Sequence, residues 1–197
     1  MNKKTDKKKL LLICFTIIVI LLTAVSTMNK NLQNDTFYTI KVGEVIEKYG
    51  VDMKDHFSFI PNLRYTYPHW FYDLSVYKIY NSFGFDGLLI GSICLSITLA
   101  SVMFLTLKKI TKNYGISLLI LIFVFPFLKT FMTVRAQTVS YILLLLILYC
   151  LEMIRERGEK KYIVLTGLLS VLLASTHAAV YPIIFILFLP ILASDNL

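Results

Sequence analysis

Charge is scarce in this chain of 197 residues. Asp, Glu, Lys and Arg make up 16% of it, hydrophobic residues make up 57%, and the mean hydropathy is +0.71. So little polar surface cannot coat a water-soluble domain, and an integral membrane protein is expected. Histidine and cysteine are rare as well, with three of each. Cys14, Cys94 and Cys150 lie inside apolar runs, with no paired spacing and no neighbouring metal ligands, so they read as small hydrophobes. No metal-ligand spacing is present, and no metal is expected. There is also no glycine-rich nucleotide-binding loop, and no cofactor is expected. The net charge of +8 could suggest nucleic acid. The basic residues, however, cluster at the ends of apolar runs, where membrane topology accounts for them, so no nucleic-acid partner is expected.

The chain is rich in apolar runs of spanning length. Lys3, Lys4, Lys7, Lys8 and Lys9 form a tail (residues 1–9) before an uncharged run over residues 10–28, close to the roughly 20 residues a helix needs to cross the hydrocarbon core. Ala24-Val25-Ser26 has the small-x-small form of a signal-peptide cleavage site. The run is longer than the roughly 7 to 15 residues of a signal-peptide core, which favours an uncleaved first span. Further spans are expected over residues 87–107, 112–127 and 137–154. The stretch 162–193 is too short for two full spans and too long for one; Ser175-Thr176-His177 interrupts it, and a broken pair of short helices is expected. Twelve of the twenty basic residues fall in three short clusters, the N-terminal tail, Lys108 to Lys112, and Arg155 to Lys161. The positive-inside rule places these clusters and the N-terminus in the cytoplasm and residues 29–86 outside. The expected class is therefore all-α, a polytopic helical protein forming one multi-pass domain in the cell membrane.

The external segment holds most of the chemistry-bearing residues. Between Asn34 and Asp73 lie two of the three histidines and the single tryptophan. Tyr38, Val42, Val45, Ile46 and Tyr49 recur at helical spacing, with Lys41, Glu44, Glu47 and Lys48 elsewhere around the wheel, which predicts a short amphipathic helix over residues 36–49 ended by Gly50. A second interfacial helix is expected over residues 69–83, where Trp70, Phe71, Tyr72, Tyr77 and Tyr80 supply headgroup-region aromatics.

These features resemble a known family. A first span followed at once by an Asn34-Asp35 loop, an amphipathic helix with a Gly43-Glu44 pair, Asp55-His56-Phe57-Ser58, and a His69-Trp70 helix ending in Phe83-Gly84 is similar to the start of bacterial membrane glycosyltransferases of the GT-C fold. These are relatives of dolichyl-phosphate-mannose-dependent mannosyltransferases and aminoarabinose transferases. Val134-Arg135-Ala136-Gln137 with Ser140-Tyr141, and Ser175-Thr176-His177-Ala178, look like further family positions, although the His177 segment lacks the Asn and Gly of the fuller pattern. Members are usually at least twice this long, so the resemblance implies an N-terminal part or an abbreviated relative.

The resemblance implies transfer of a sugar from a polyprenyl-phosphate donor to an acceptor on the outer face, with the donor and membrane lipids as partners. Asp35 matches the family's base, with Asp55 as the second catalytic candidate. Arg135 or Arg64 would hold phosphate oxygens through the guanidinium fork, and His56, His69, Trp70 and His177 are candidate substrate contacts. Each residue also has a structural reading. Asp35 can cap a helix, Asp55 and His56 can form a turn beside a strand-like Phe57-Ser58-Phe59, His69 and Trp70 can anchor the interface, and Arg135 can snorkel to headgroups. The alternatives to an enzyme are a non-catalytic multi-pass subunit and a transporter or flippase component. The near absence of charge within the spans weighs against the transporter. Sugar, acceptor and oligomeric state leave no mark in the sequence.

Overall fold

A computed structural model describes residues 3–26, 34–61, 63–131 and 133–194. The chain is 83% helical, and among the described residues no strand forms. Seven helices follow in order: α1 (Lys3–Ser26), α2 (Asn34–Tyr49), α3 (Trp70–Thr111), α4 (Tyr114–Val124), α5 (Ala136–Arg157), α6 (Lys160–Thr176) and α7 (Ile183–Ser194). Among the described residues two helices, α3 and α5, are long and apolar enough to cross a membrane; Leu10–Ser26, Tyr114–Lys129 and Ala178–Leu189 are shorter apolar helical stretches. Residues 27 and 28 of the expected first span lie outside the described residues.

The interfacial helix and second span expected as separate elements follow one another in the 42-residue stretch α3 and are divided where Gly84 adopts the non-helical φ 63°, ψ −155°. That conformation is essentially restricted to glycine, so the division is written into the sequence at one position. Ahead of Gly84 the helix is polar and aromatic, and beyond it the helix is apolar. The third apolar run holds α4, which the Asn113 side chain caps by accepting from the Ile116 amide at 3.1 Å. It tightens into a 3-10 segment, Phe125–Phe131, where Pro126 cannot donate to the α-helical ladder. The last run breaks where the sequence suggests. α6 ends at Thr176, His177 takes a non-helical conformation, and a 3-10 turn, Ala178–Val180, leads to α7.

Two layers of packing position the polar end of the molecule. Leu99, Ala100, Leu121, Phe125 and Ile142 form a core where α3, α4 and α5 meet, joined by Ala24 of α1. In the second layer, Ile40 of α2 packs with Tyr72, Val76 and Leu88 of α3 and with Val134 and Ala136 at the start of α5. α2 is amphipathic as predicted, but its buried face is Thr36, Thr39, Ile40, Val42, Gly43, Val45 and Ile46. Tyr38 and Tyr49, expected on that face, are half exposed, because their rings turn to the following loop, Tyr38 to Phe57 and Tyr49 onto His56. Outward-facing apolar side chains are abundant on the other helices, including Leu11, Leu22, Phe123, Phe127, Val171 and Phe185.

Candidate functional site

Asp35 and Arg135 are a hundred positions apart in sequence, yet their side chains form an ion pair, with Arg135 Nη2 2.5 Å from Asp35 Oδ2. Local structure aims both groups. Asp35 lies in the first turn of α2, where a carboxylate is favoured by the helix dipole. Arg135 is the N-cap of α5 in an extended conformation, pinned by its buried neighbours Val134 and Ala136. The Asp35 side chain is 60% exposed and that of Arg135 26%, so the pair sits at the mouth of the interface between α2, α3 and α5. Asp35 thus meets a cation from another helix, which is more than its capping reading required.

A second cluster gathers one turn further along α5. The Ser140 hydroxyl donates to the Ala136 carbonyl (2.9 Å) and lies 2.7 Å from His177 Nδ1. With the hydroxyl proton placed on that carbonyl, Nδ1–H is the donor and His177 Nε2 is bare, an assignment that follows from the hydrogen-bond network. His69 meets the His177 ring edge-on at 4.7 Å between centroids, and the Ala178 amide donates to the Pro68 carbonyl at 3.1 Å. The segment ahead of α3 is thereby tied to the break between α6 and α7. Burial pushes the pKa of His69, which lies ahead of α3, below its ordinary value. Trp70 begins α3, one-third exposed, with its ring edge-on to Phe71.

The remaining candidates stand in the loop between α2 and α3. Asp55 accepts from the amides of Phe57 (2.7 Å) and Ser58 (3.2 Å). This is the turn-forming geometry, and Phe57-Ser58-Phe59 forms no strand because these side-chain bonds engage the backbone instead. His56 pairs through Nε2 with Asp52 Oδ2 at 3.0 Å and stacks on Tyr49 at 4.2 Å. Arg64 forms a lone antiparallel bridge with Lys54 across the loop. Asp55, His56 and Arg64 therefore share a loop of their own, and none of them has a described contact with Asp35 or Arg135.

Asp73 is the residue that sequence reading passed over. It is 3% exposed, on the polar part of α3 ahead of Gly84, and faces α2. Burial pushes its pKa up to about 7, and a Thr39 hydrogen bond offsets this only in part. The available signal was its register, one turn before Val76 and Tyr77 on a helix whose other face is solvated. An apolar cavity of about 350 Å³ lies below these clusters, lined by Tyr72, Val76, Leu88, Val134, Val139 and Thr176 among others. Its wall residues are chain neighbours of Asp73, Arg135 and His177. Among the described residues no group of three or more His, Cys, Asp or Glu side chains is arranged to hold a metal ion. No protein-family model, curated protein or solved structure matches the chain.

Proposed function

We propose that this chain is a multi-pass membrane glycosyltransferase, or the donor-side part of one, that transfers a sugar from a polyprenyl-phosphate carrier to an acceptor hydroxyl at the outer membrane face. Supporting the membrane placement are the two helices of spanning length and the apolar side chains turned outward on α1, α4, α6 and α7. The observation that carries the chemistry is the Asp35–Arg135 pair beside an apolar cavity. A lipid-linked phosphate needs this combination, a cation for the headgroup next to a slot for the chain. In the proposed step the bond between the anomeric carbon and the phosphate oxygen breaks, and the acceptor oxygen bonds to that carbon. The acceptor's proton passes to the Asp35 carboxylate, while Arg135 holds the departing phosphate. His69, Trp70 and His177 are proposed as contacts to the sugar or acceptor, and Asp55, His56 and Arg64 as parts of the acceptor-side loop.

The test uses a photoreactive, radiolabelled polyprenyl-phosphate sugar with the purified chain in lipid nanodiscs. Crosslinking around residues 134–139 that is lost in Arg135→Gln is expected. Labelling no greater than that by a photoreactive polyprenol without phosphate refutes the reading.

A further inference from the structure

Among the described residues, three buried side-chain polar atoms have no hydrogen-bond partner: Thr36 Oγ1, Thr133 Oγ1 and Arg135 Nε. Each belongs to a member of the Asp35–Arg135 pair or to a residue near one in the chain. Thr36 follows Asp35 in the first turn of α2, and Thr133 is bound to Arg135 through a 2.7 Å bond from the Arg135 amide to the Thr133 carbonyl. Arg135 is itself the cation of the pair. The threonines are 0% and 4% exposed. A buried donor left unmade costs about 1–3 kcal/mol, and folded proteins keep such groups few. An orphaned donor on the guanidinium itself, with two more on near chain neighbours of the pair, points to a place for an anion rich in acceptor oxygens. A phosphate supplies those oxygens, and its geometry matches the guanidinium fork.

The Asp35 carboxylate already holds that guanidinium. It is an imperfect occupant, because it engages Nη2 and leaves Nε and both hydroxyls unpaired. It is also a removable one. Most of the Asp35 side chain is in solvent, so the carboxylate gives up little when it leaves, whereas the largely buried Arg135 needs another anion in exchange.

We propose that Asp35 is an internal competitor for the anion site at Arg135: the phosphate of the lipid-linked donor displaces the carboxylate, takes up the hydrogen bonds of Arg135 Nε, Thr36 and Thr133, and so releases Asp35 to face the acceptor. This rests on the glycosyltransferase reading above and adds an order to it. The donor binds first, and Asp35 is freed only when the phosphate is seated. A site with both substrates absent keeps its charges neutralised.

The experiment measures equilibrium binding of undecaprenyl phosphate to the full chain in nanodiscs, with undecaprenol and inorganic phosphate as comparisons and thermal unfolding as a check that each variant is folded. Asp35→Asn is expected to tighten lipid-phosphate binding about tenfold by removing the competing charge. Arg135→Gln should weaken binding about tenfold or more, alone or combined with Asp35→Asn. Thr36→Val with Thr133→Val should weaken it several-fold in the Asp35→Asn background. Should Arg135→Gln fail to fold, Arg135→Lys keeps the charge without the fork and is expected to weaken binding several-fold. If Asp35→Asn binds no more tightly than wild type while the Arg135 variants still weaken binding, internal competition is overturned and the phosphate clamp stands. If the Arg135 variants bind like wild type, the clamp falls too, and the proposed function loses its main support. Inorganic phosphate that competes as well as the lipid would overturn a lipid source for the anion.

Discussion

Gly43→Ala is a one-carbon perturbation whose effect can be worked out from the helix contact. A methyl built on Gly43 lies 2.8 Å from the Asp73 carbonyl carbon, and closer still to the Asp73 oxygen and Tyr77 Cβ. A carbon needs about 3.3–3.6 Å from a carbonyl oxygen, so α2 must move off α3 by roughly 1 Å. The obstacles include backbone atoms of a packed helix, so the cost belongs near the top of the roughly 1–3 kcal/mol range for overpacking. Alanine's better helix propensity returns about 1 kcal/mol, leaving a net loss of about 2 kcal/mol. Gly167→Ala on α6 is the matched control, since nothing lies within 4 Å of its added methyl. The same chemistry there should stabilise by about 0.5–1 kcal/mol. Equilibrium unfolding of both variants in one detergent should therefore separate them by about 3 kcal/mol. Because α2 carries Asp35, Gly43→Ala should also weaken the ion pair with Arg135, readable as reduced protection of the α5 N-terminal amides from hydrogen exchange. Equal stability of the two variants would refute the close α2–α3 contact.

Other perturbations read out the remaining features. Asp73 holds its proton up to about pH 7 in the folded protein, whereas an unfolded carboxyl titrates near about 3.9. Folding thus binds an extra proton between these values, and the Asp73 contribution to stability falls as pH rises from about 4 to about 7 and is level above that. Asp73→Asn should remove this slope and gain more over wild type at pH 8 than at pH 4; parallel unfolding curves at both pH values would show the carboxyl is not desolvated. Ser140→Ala should destabilise by about 1–3 kcal/mol by orphaning the His177 ring, and an unchanged midpoint would remove that bond from the account. In a cysteine-free background, Leu63→Cys should react with an impermeant maleimide on intact cells while Thr111→Cys is spared. The reverse pattern sinks the proposed topology. For a full-length transferase containing this segment, Asp35→Asn should lower turnover by roughly 10²- to 10⁴-fold without losing donor binding, because asparagine keeps the capping ability and cannot accept the proton. Near-normal turnover would take Asp35 out of the chemistry.

Features with a local cause are the ones legible in the sequence. The break at His177 shows because Ser175-Thr176-His177 interrupts an apolar run, and α2 shows because its polar and apolar residues alternate at helical spacing. Features made by contact between distant segments are hidden. Asp35 and Arg135 each attract attention alone, Asp35 for its nearness to an apolar run and Arg135 as a charge at a run's edge. Nothing in their spacing says that they touch. The outward turn of Tyr38 and Tyr49 was illegible for the same reason, since it depends on how the following loop brings Phe57 and His56 against them. Asp73 was invisible because burial of a carboxyl depends on its partner helix, and the aromatic residues around it already accounted for that stretch. The division within α3, by contrast, was legible, because Gly84 punctuates the sequence between the aromatic stretch and the apolar run.

The Asp35–Arg135 pair and the Pro68–Ala178 bond also have a consequence for the order of assembly. Each closes a loop of more than a hundred residues, so neither can form until the second half of the chain has been made. A nascent chain that has emerged only through α3 holds α2 by its contacts with that helix, which already cover Asp73, while Asp35 is still without its cation. Arrival of α5 supplies the cation, and the turn after α6 then fastens the loop ahead of α3. The segment carrying α2 and the loop ahead of α3 is made early and locked late, its long-range polar contacts closing only at the end.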